Sequence, residues 1–127
     1  MHTLRVRALR LVVAALTLTG WPGIVAAQTS LTKWYLAEGA TGTFFEEEIL
    51  IGNPNTSAAE ISITYLRPAG AAPITQTFTM PATSRKTVRV NDVPGLASAP
   101  AVSAVVECTN GLDIVVERSM YWSTPAR

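Results

Sequence analysis

From Lys33 onward, apolar and polar residues alternate with a period of two, and turn-forming clusters interrupt the alternation at short intervals. Ile61-Ser62-Ile63-Thr64-Tyr65 alternates strictly, and Ile74 to Met80 does so with Gln76 as the one exception. Alternation of this kind sets one face of a strand on a core and the other in water. The apolar members are β-branched or aromatic, as strands favour. Gly52-Asn53-Pro54-Asn55, Arg67-Pro68-Ala69-Gly70, Pro81-Ala82-Thr83-Ser84 and the stretch 91–100 punctuate the pattern, and Asn110-Gly111 is a strong hairpin signal. Seven strands are predicted, near 33–37, 45–52, 59–66, 74–80, 85–90, 102–108 and 112–121. No amphipathic helix is visible; 92–100 has room for one loose turn. The expected fold is all-β, a single antiparallel β-sandwich of immunoglobulin-like type. A small closed barrel is the alternative.

If Asn110 and Gly111 form a two-residue turn, Thr109 faces Leu112, Glu107 faces Ile114, Val105 faces Val116 and Ser103 faces Arg118. Glu107 and Arg118 then share a face with Val105, Ile114, Val116, Met120 and Trp122, while Glu117 lies on the other and is expected to be solvated. A charge among core side chains needs a partner, because desolvating it alone is expensive. The expectation is a structural ion network that links Arg118, and Arg85 with it, to Glu107 or Glu38.

The first 27 residues have the three parts of a secretory signal peptide: Arg5, Arg7 and Arg10, then an apolar stretch, then Val25-Ala26-Ala27 before a cleavage point. The expected organisation is a signal peptide at 1–27, a linker at 28–32, the sandwich at 33–123 and a tail at 124–127. Cleavage removes three of the ten basic residues and leaves seven against nine acidic ones, a net charge of −2. Such a balance disfavours nucleic acid as a partner, and no membrane association is expected after cleavage. The only histidine, His2, leaves with the leader, which excludes Ser-His-Asp, Cys-His and histidine-ligated zinc sites. Cys108, the single cysteine, reads as a small buried apolar residue.

The acids offer little catalytic pattern. No pair has a recognisable glycosidase setting, and a domain this small has little room for a deep cleft. Glu46-Glu47-Glu48 lacks EF-hand spacing and reads better as a charged edge strand that discourages aggregation. Gly39-Ala40-Thr41-Gly42 leads into a strand, not into the helix that a phosphate-cradling loop requires. Asn55-Thr56-Ser57 matches a glycosylation sequon. Neither a catalytic residue nor a metal or cofactor is expected. Trp34, Tyr35, Tyr121 and Trp122 lie in the first and last strands. They either close the core where the chain ends meet, which is the preferred reading, or offer Trp34 and Trp122 as stacking platforms for sugars or peptides.

Trp34-Tyr35-Leu36-Ala37-Glu38-Gly39, Ile51-Gly52-Asn53-Pro54-Asn55, Tyr65-Leu66-Arg67-Pro68, Pro81-Ala82-Thr83-Ser84-Arg85 and Val116 to Trp122 together form a set of landmarks. The set resembles an uncharacterised β-sandwich module of secreted bacterial proteins that often occurs in tandem copies. The resemblance covers nearly all of the sequence after the leader. It implies an extracellular, non-enzymatic role in cell-surface architecture or adhesion, with no known ligand. This chain carries one copy behind its own leader, so the module either works alone or is a piece of a longer repeat protein. The expected function is that of an exported structural or protein-interaction module that is secreted, periplasmic or at the cell surface. Its partner is expected to be another protein or a second copy, met through an edge strand. A carbohydrate-binding module is the alternative.

Overall fold

The computed structural model describes residues 31–122. The expected leader at 1–27 and the tail at 124–127 lie outside them. Seven strands appear: β1 (Lys33–Leu36), β2 (Phe45–Asn53), β3 (Ala59–Leu66), β4 (Ile74–Met80), β5 (Ser84–Arg89), β6 (Ser103–Cys108) and β7 (Val115–Trp122). A 3-10 turn, Val90–Asp92, follows β5. Two antiparallel sheets, ordered β1-β6-β3-β4 and β5-β2-β7, face one another as a β-sandwich. The barrel alternative is therefore not adopted.

The core comes directly from the alternation. Ile61, Ile63 and Tyr65 of β3, Ala104, Val106 and Cys108 of β6, Ile49 and Ile51 of β2, and Val116 of β7 are all buried between the sheets. Each large aliphatic residue removed from water there contributes about 1.5–3 kcal/mol. Cys108 is a free, buried thiol.

The connection from β6 to β7 departs from expectation. β6 pairs with β1 and β3, whereas β7 pairs with β2 in the other sheet. The hairpin register placing Glu107 opposite Ile114 and Ser103 opposite Arg118 does not form. Gly111 adopts a positive φ of 78°, but Asn110 does not, so the two-residue type I′ turn is absent. Instead the Asn110 side chain accepts the Glu60 N–H and donates to the Ala58 carbonyl, which pulls the turn onto the start of β3. Ile114 then inserts into the core, and its N–H donates to the Leu31 carbonyl. In constant-type immunoglobulin domains the first strand joins the second and the last joins the sixth; here β1 joins β6 and β7 joins β2.

β2 is consequently the central strand of its sheet, not the charged edge expected of Glu46-Glu47-Glu48. Glu46 and Glu48 face outward toward Arg89, at 3.2 and 4.0 Å. Glu47 points inward. The edge beside it, β5, carries the protective charges as Arg85, Lys86 and Arg89.

Asparagine side chains tie down the loops at one end of the sandwich. The buried Asn53 donates to the carbonyls of Ser57 and Pro81 at 2.9 Å each and accepts from the Asn55 backbone and side chain. Asn55 also donates to the Asp113 carbonyl at 2.8 Å, so the sequon asparagine is engaged in structure. The opposite end, where β1, β3 and β7 finish and β2 and β6 begin, holds the open pocket.

Candidate functional site

At that end, Ala37-Glu38-Gly39-Ala40 forms one wall of an open pocket of about 430 Å³. Leu66, Arg67, Met120 and the segment Pro100 to Ser103 complete it. The wall is stitched to its neighbours. The Val102 N–H donates to the Gly39 carbonyl at 2.9 Å, the Thr41 N–H to the Ala99 carbonyl at 2.8 Å, and the Ser103 hydroxyl to the Ala37 carbonyl. The buried Thr41 hydroxyl donates to the Leu96 carbonyl and accepts the Ala99 N–H. Arg67 spends Nε and Nη2 on the Ala72 carbonyl.

Behind this wall lies a buried carboxylate. Glu47 is only 2% exposed and shares the inward face of β2 with Ile49 and Ile51. The Asn91 side chain accepts its N–H at 3.0 Å. Its carboxylate accepts the Ala40 N–H and presses against Gly39 so closely that a Cβ there would fall 2.6 Å from Glu47 Cδ. Across the strand pair, Met120 stands opposite Glu47 and Arg118 opposite Ile49, which sets Arg118 diagonally from the carboxylate on the same face. Arg118 makes no direct ion pair among the described residues. Its Nη1 and Glu47 Oε2 are both buried without a hydrogen-bond partner. Burial pushes the Glu47 carboxyl up to about 7, against the opposing pull of the Arg118 charge and the Ala40 N–H. Tyr65, from the facing sheet, donates to Gln76 Oε1 at 3.3 Å, and burial with the nearby Glu47 charge pushes its phenol up to about 12.

The expected ion network of Glu38, Arg85, Glu107 and Arg118 is not assembled. Glu107 pairs instead with Lys33 across β1 and β6, at 3.0 Å on the outer face. Arg85 is exposed and reaches only the Thr87 hydroxyl, at 3.5 Å. Glu38 is exposed on the pocket wall. The physical reason is the strand exchange: β6 and β7 lie in different layers, so Glu107 faces outward while Arg118 faces inward. Arg118 does need an acid, as its inward position demands, but that acid is Glu47. Glu117 is exposed, as expected.

The aromatics divide. Trp34 packs against the core, with its indole N–H shared between the carbonyls of Leu31 and Ile114 at 3.0 Å each. Tyr35, Tyr121 and Trp122 do not close the core; they are 72%, 53% and 68% exposed. Trp122 stands opposite Phe45 at the pocket end, whereas Trp34 bonds at the far end of the sandwich and in the other sheet, so the two indoles form no joint platform. Among the described residues no group of three or more His, Cys, Asp or Glu side chains is arranged to hold a metal ion. No described helix is long and apolar enough to cross a membrane.

No protein-family model matches the chain, and no curated protein matches it. Solved structures do. The Anabaena sensory rhodopsin transducer is 25% identical, with a TM-score of 0.58 over 69% of this chain and 94% of that one. The crystal structure of Thermotoga maritima 1070 is 16% identical, with a TM-score of 0.61 over 74% of this chain and 96% of that one. At that second identity the likeness speaks for the fold alone. Each neighbour is matched over almost its whole length, so the similarity extends across the sandwich and is not confined to one hairpin.

Proposed function

We propose that this protein is an exported, non-catalytic β-sandwich module that acts through protein interaction at the cell surface, with strand β7 as its contact edge. One observation carries the reading. Among the described residues the exposed aromatic side chains are Tyr35 of β1, Phe44 just before β2, and Tyr121 and Trp122 of β7. β7 is eight residues long and bonded to β2 on one side only. Its free edge offers backbone donors and acceptors to an added strand. Exposed tyrosine and tryptophan beside such an edge are typical of contact surfaces. The structural neighbour named as a sensory rhodopsin transducer supports a role in passing a signal between proteins over one in catalysis.

Exposed Trp122 also favours the carbohydrate-binding alternative, although Trp34 has its indole N–H committed to the fold. The test is sedimentation velocity on the full chain and on a Tyr121→Lys/Trp122→Lys variant. Concentration-dependent self-association that the variant abolishes is the expected result. A monomer at every concentration, with fluorescence that shifts on adding a polysaccharide, would reverse the preference.

A further inference from the structure

The pocket wall rests on a buried acid. Glu47 holds Gly39 and Ala40 from behind, through the Ala40 N–H and by direct contact with the Gly39 backbone. The same two residues line the pocket on their other side. Several elements meet around Glu47. β7 supplies Arg118 and Met120, β3 supplies Tyr65, the turn after β5 supplies Asn91, and the wall supplies backbone. Arg118 is the only cation among them, and it stops short of a direct ion pair. Glu46 and Glu48 face away toward Arg89, and Glu38 is exposed. A carboxylate in this position is under-solvated when charged: one oxygen has no donor, and the nearest cation has an orphaned nitrogen of its own.

We infer that Glu47 is a proton-operated latch on the pocket wall: when protonated it keeps Gly39 and Ala40 seated on β2, and when ionised it favours their release into water. The sign follows from linkage. The seated form holds the proton up to about 7, whereas a Glu47 exposed by release returns to its ordinary 4.5. Between those values the released form binds fewer protons, so rising pH favours release by about ten-fold per pH unit, roughly 300-fold in all, and the effect levels off above neutrality. The bonds from Val102 to Gly39 and from Ala99 to Thr41 resist it, so the released state is a minor opening and not a separate fold. The pocket would then present a more mobile wall at neutral pH than at mildly acidic pH.

Amide hydrogen exchange on the full chain, followed residue by residue by NMR between pH 4.5 and 8 and corrected for intrinsic rates, tests the latch. Protection of the Ala40 amide is expected to fall by about two orders of magnitude between pH 4.5 and 7 and then flatten. The core amide of Val106 is expected to stay the more protected throughout. In Glu47→Gln the Ala40 profile should be flat. A wild-type profile that is already flat, or the same fall in Glu47→Gln, overturns the inference. Should Glu47→Gln fail to fold, the wild-type comparison alone decides: Ala40 and Val106 opening with equal free energies at every pH would mean global unfolding and no latch.

Discussion

Replacing Gly39 with alanine adds one methyl group where the structure leaves no space for it. The Cβ would lie 2.6 Å from Glu47 Cδ and closer still to both carboxylate oxygens. The backbone raises no objection, because Gly39 is not among the glycines with positive φ. On backbone entropy alone the substitution would stabilise the fold by about 0.4–1 kcal/mol. The carboxylate is the tip of a flexible side chain, but it is buried between β2 and the wall and cannot simply swing aside. Moving it costs an overpacking term of about 1–3 kcal/mol. It also breaks the bond from Ala40, and a hydrogen bond to a charged group is worth about 1.5–3 kcal/mol. A net loss of at least about 1.5 kcal/mol is expected, which for a domain of this size lowers Tm by roughly 6 °C or more. Thermal and urea unfolding of wild type, Gly39→Ala, Glu47→Ala and the double variant give the assay. In the Glu47→Ala background the obstructing atoms are gone, and Gly39→Ala should be neutral or slightly stabilising. An equal cost in both backgrounds, or a Gly39→Ala protein as stable as wild type, would refute the contact.

Other outcomes follow from the same geometry. The folded-state value of Glu47 is raised, so its contribution to stability is fully present below about 4.5 and is lost as pH rises through about 7. That interval corresponds to about 3 kcal/mol, and the urea-unfolding difference between wild type and Glu47→Gln should change by an amount of that order between pH 4.5 and 8. Arg118→Met removes the charge that opposes the upward shift, so the Glu47 midpoint should climb further, as read by carboxyl-carbon NMR. Asn53→Ala deletes four hydrogen bonds and strips the Ser57 carbonyl of its donor, while the Pro81 carbonyl keeps the Ser84 hydroxyl; a loss of about 3 kcal/mol is expected in urea unfolding. Trp122→Ala removes an exposed ring and should change stability by less than about 0.5 kcal/mol while weakening any self-association seen by sedimentation.

The strands were legible because period two survives in nearly all of them. β3 and β4 begin and end where the alternation does, and the two-layer sandwich follows from burying one face of each strand. The sheet order was not legible at Asn110-Gly111. A pair of turn residues specifies a hairpin only if its side chains stay local, and Asn110 spends its amide on Ala58 and Glu60, about fifty positions away. Once β7 left β6, the expected facing of Glu107 and Arg118 went with it. Glu47 had a signal that a run of three acids concealed. Phe45, Glu47, Ile49, Ile51 and Asn53 share one parity, so the alternation itself places Glu47 on the apolar face. Gly39, the glycine it needs, lies across a loop, and no local pattern connects the two. The exposure of Tyr35, Tyr121 and Trp122 escapes the alternation for a simpler reason: a sequence gives the size of an aromatic ring but not whether the sandwich extends far enough to cover it.

The most direct test of the buried acid is to titrate Glu47 itself in the full chain, with carbon-13 in the glutamate carboxyl groups and Glu47→Gln to assign the resonance. A midpoint near 7, well above those of the exposed glutamates, is the result expected for a carboxylate enclosed by Gly39, Ala40 and Arg118. A midpoint close to 4.5 would mean that water reaches it, and would contradict both the packed wall and the latch built on it.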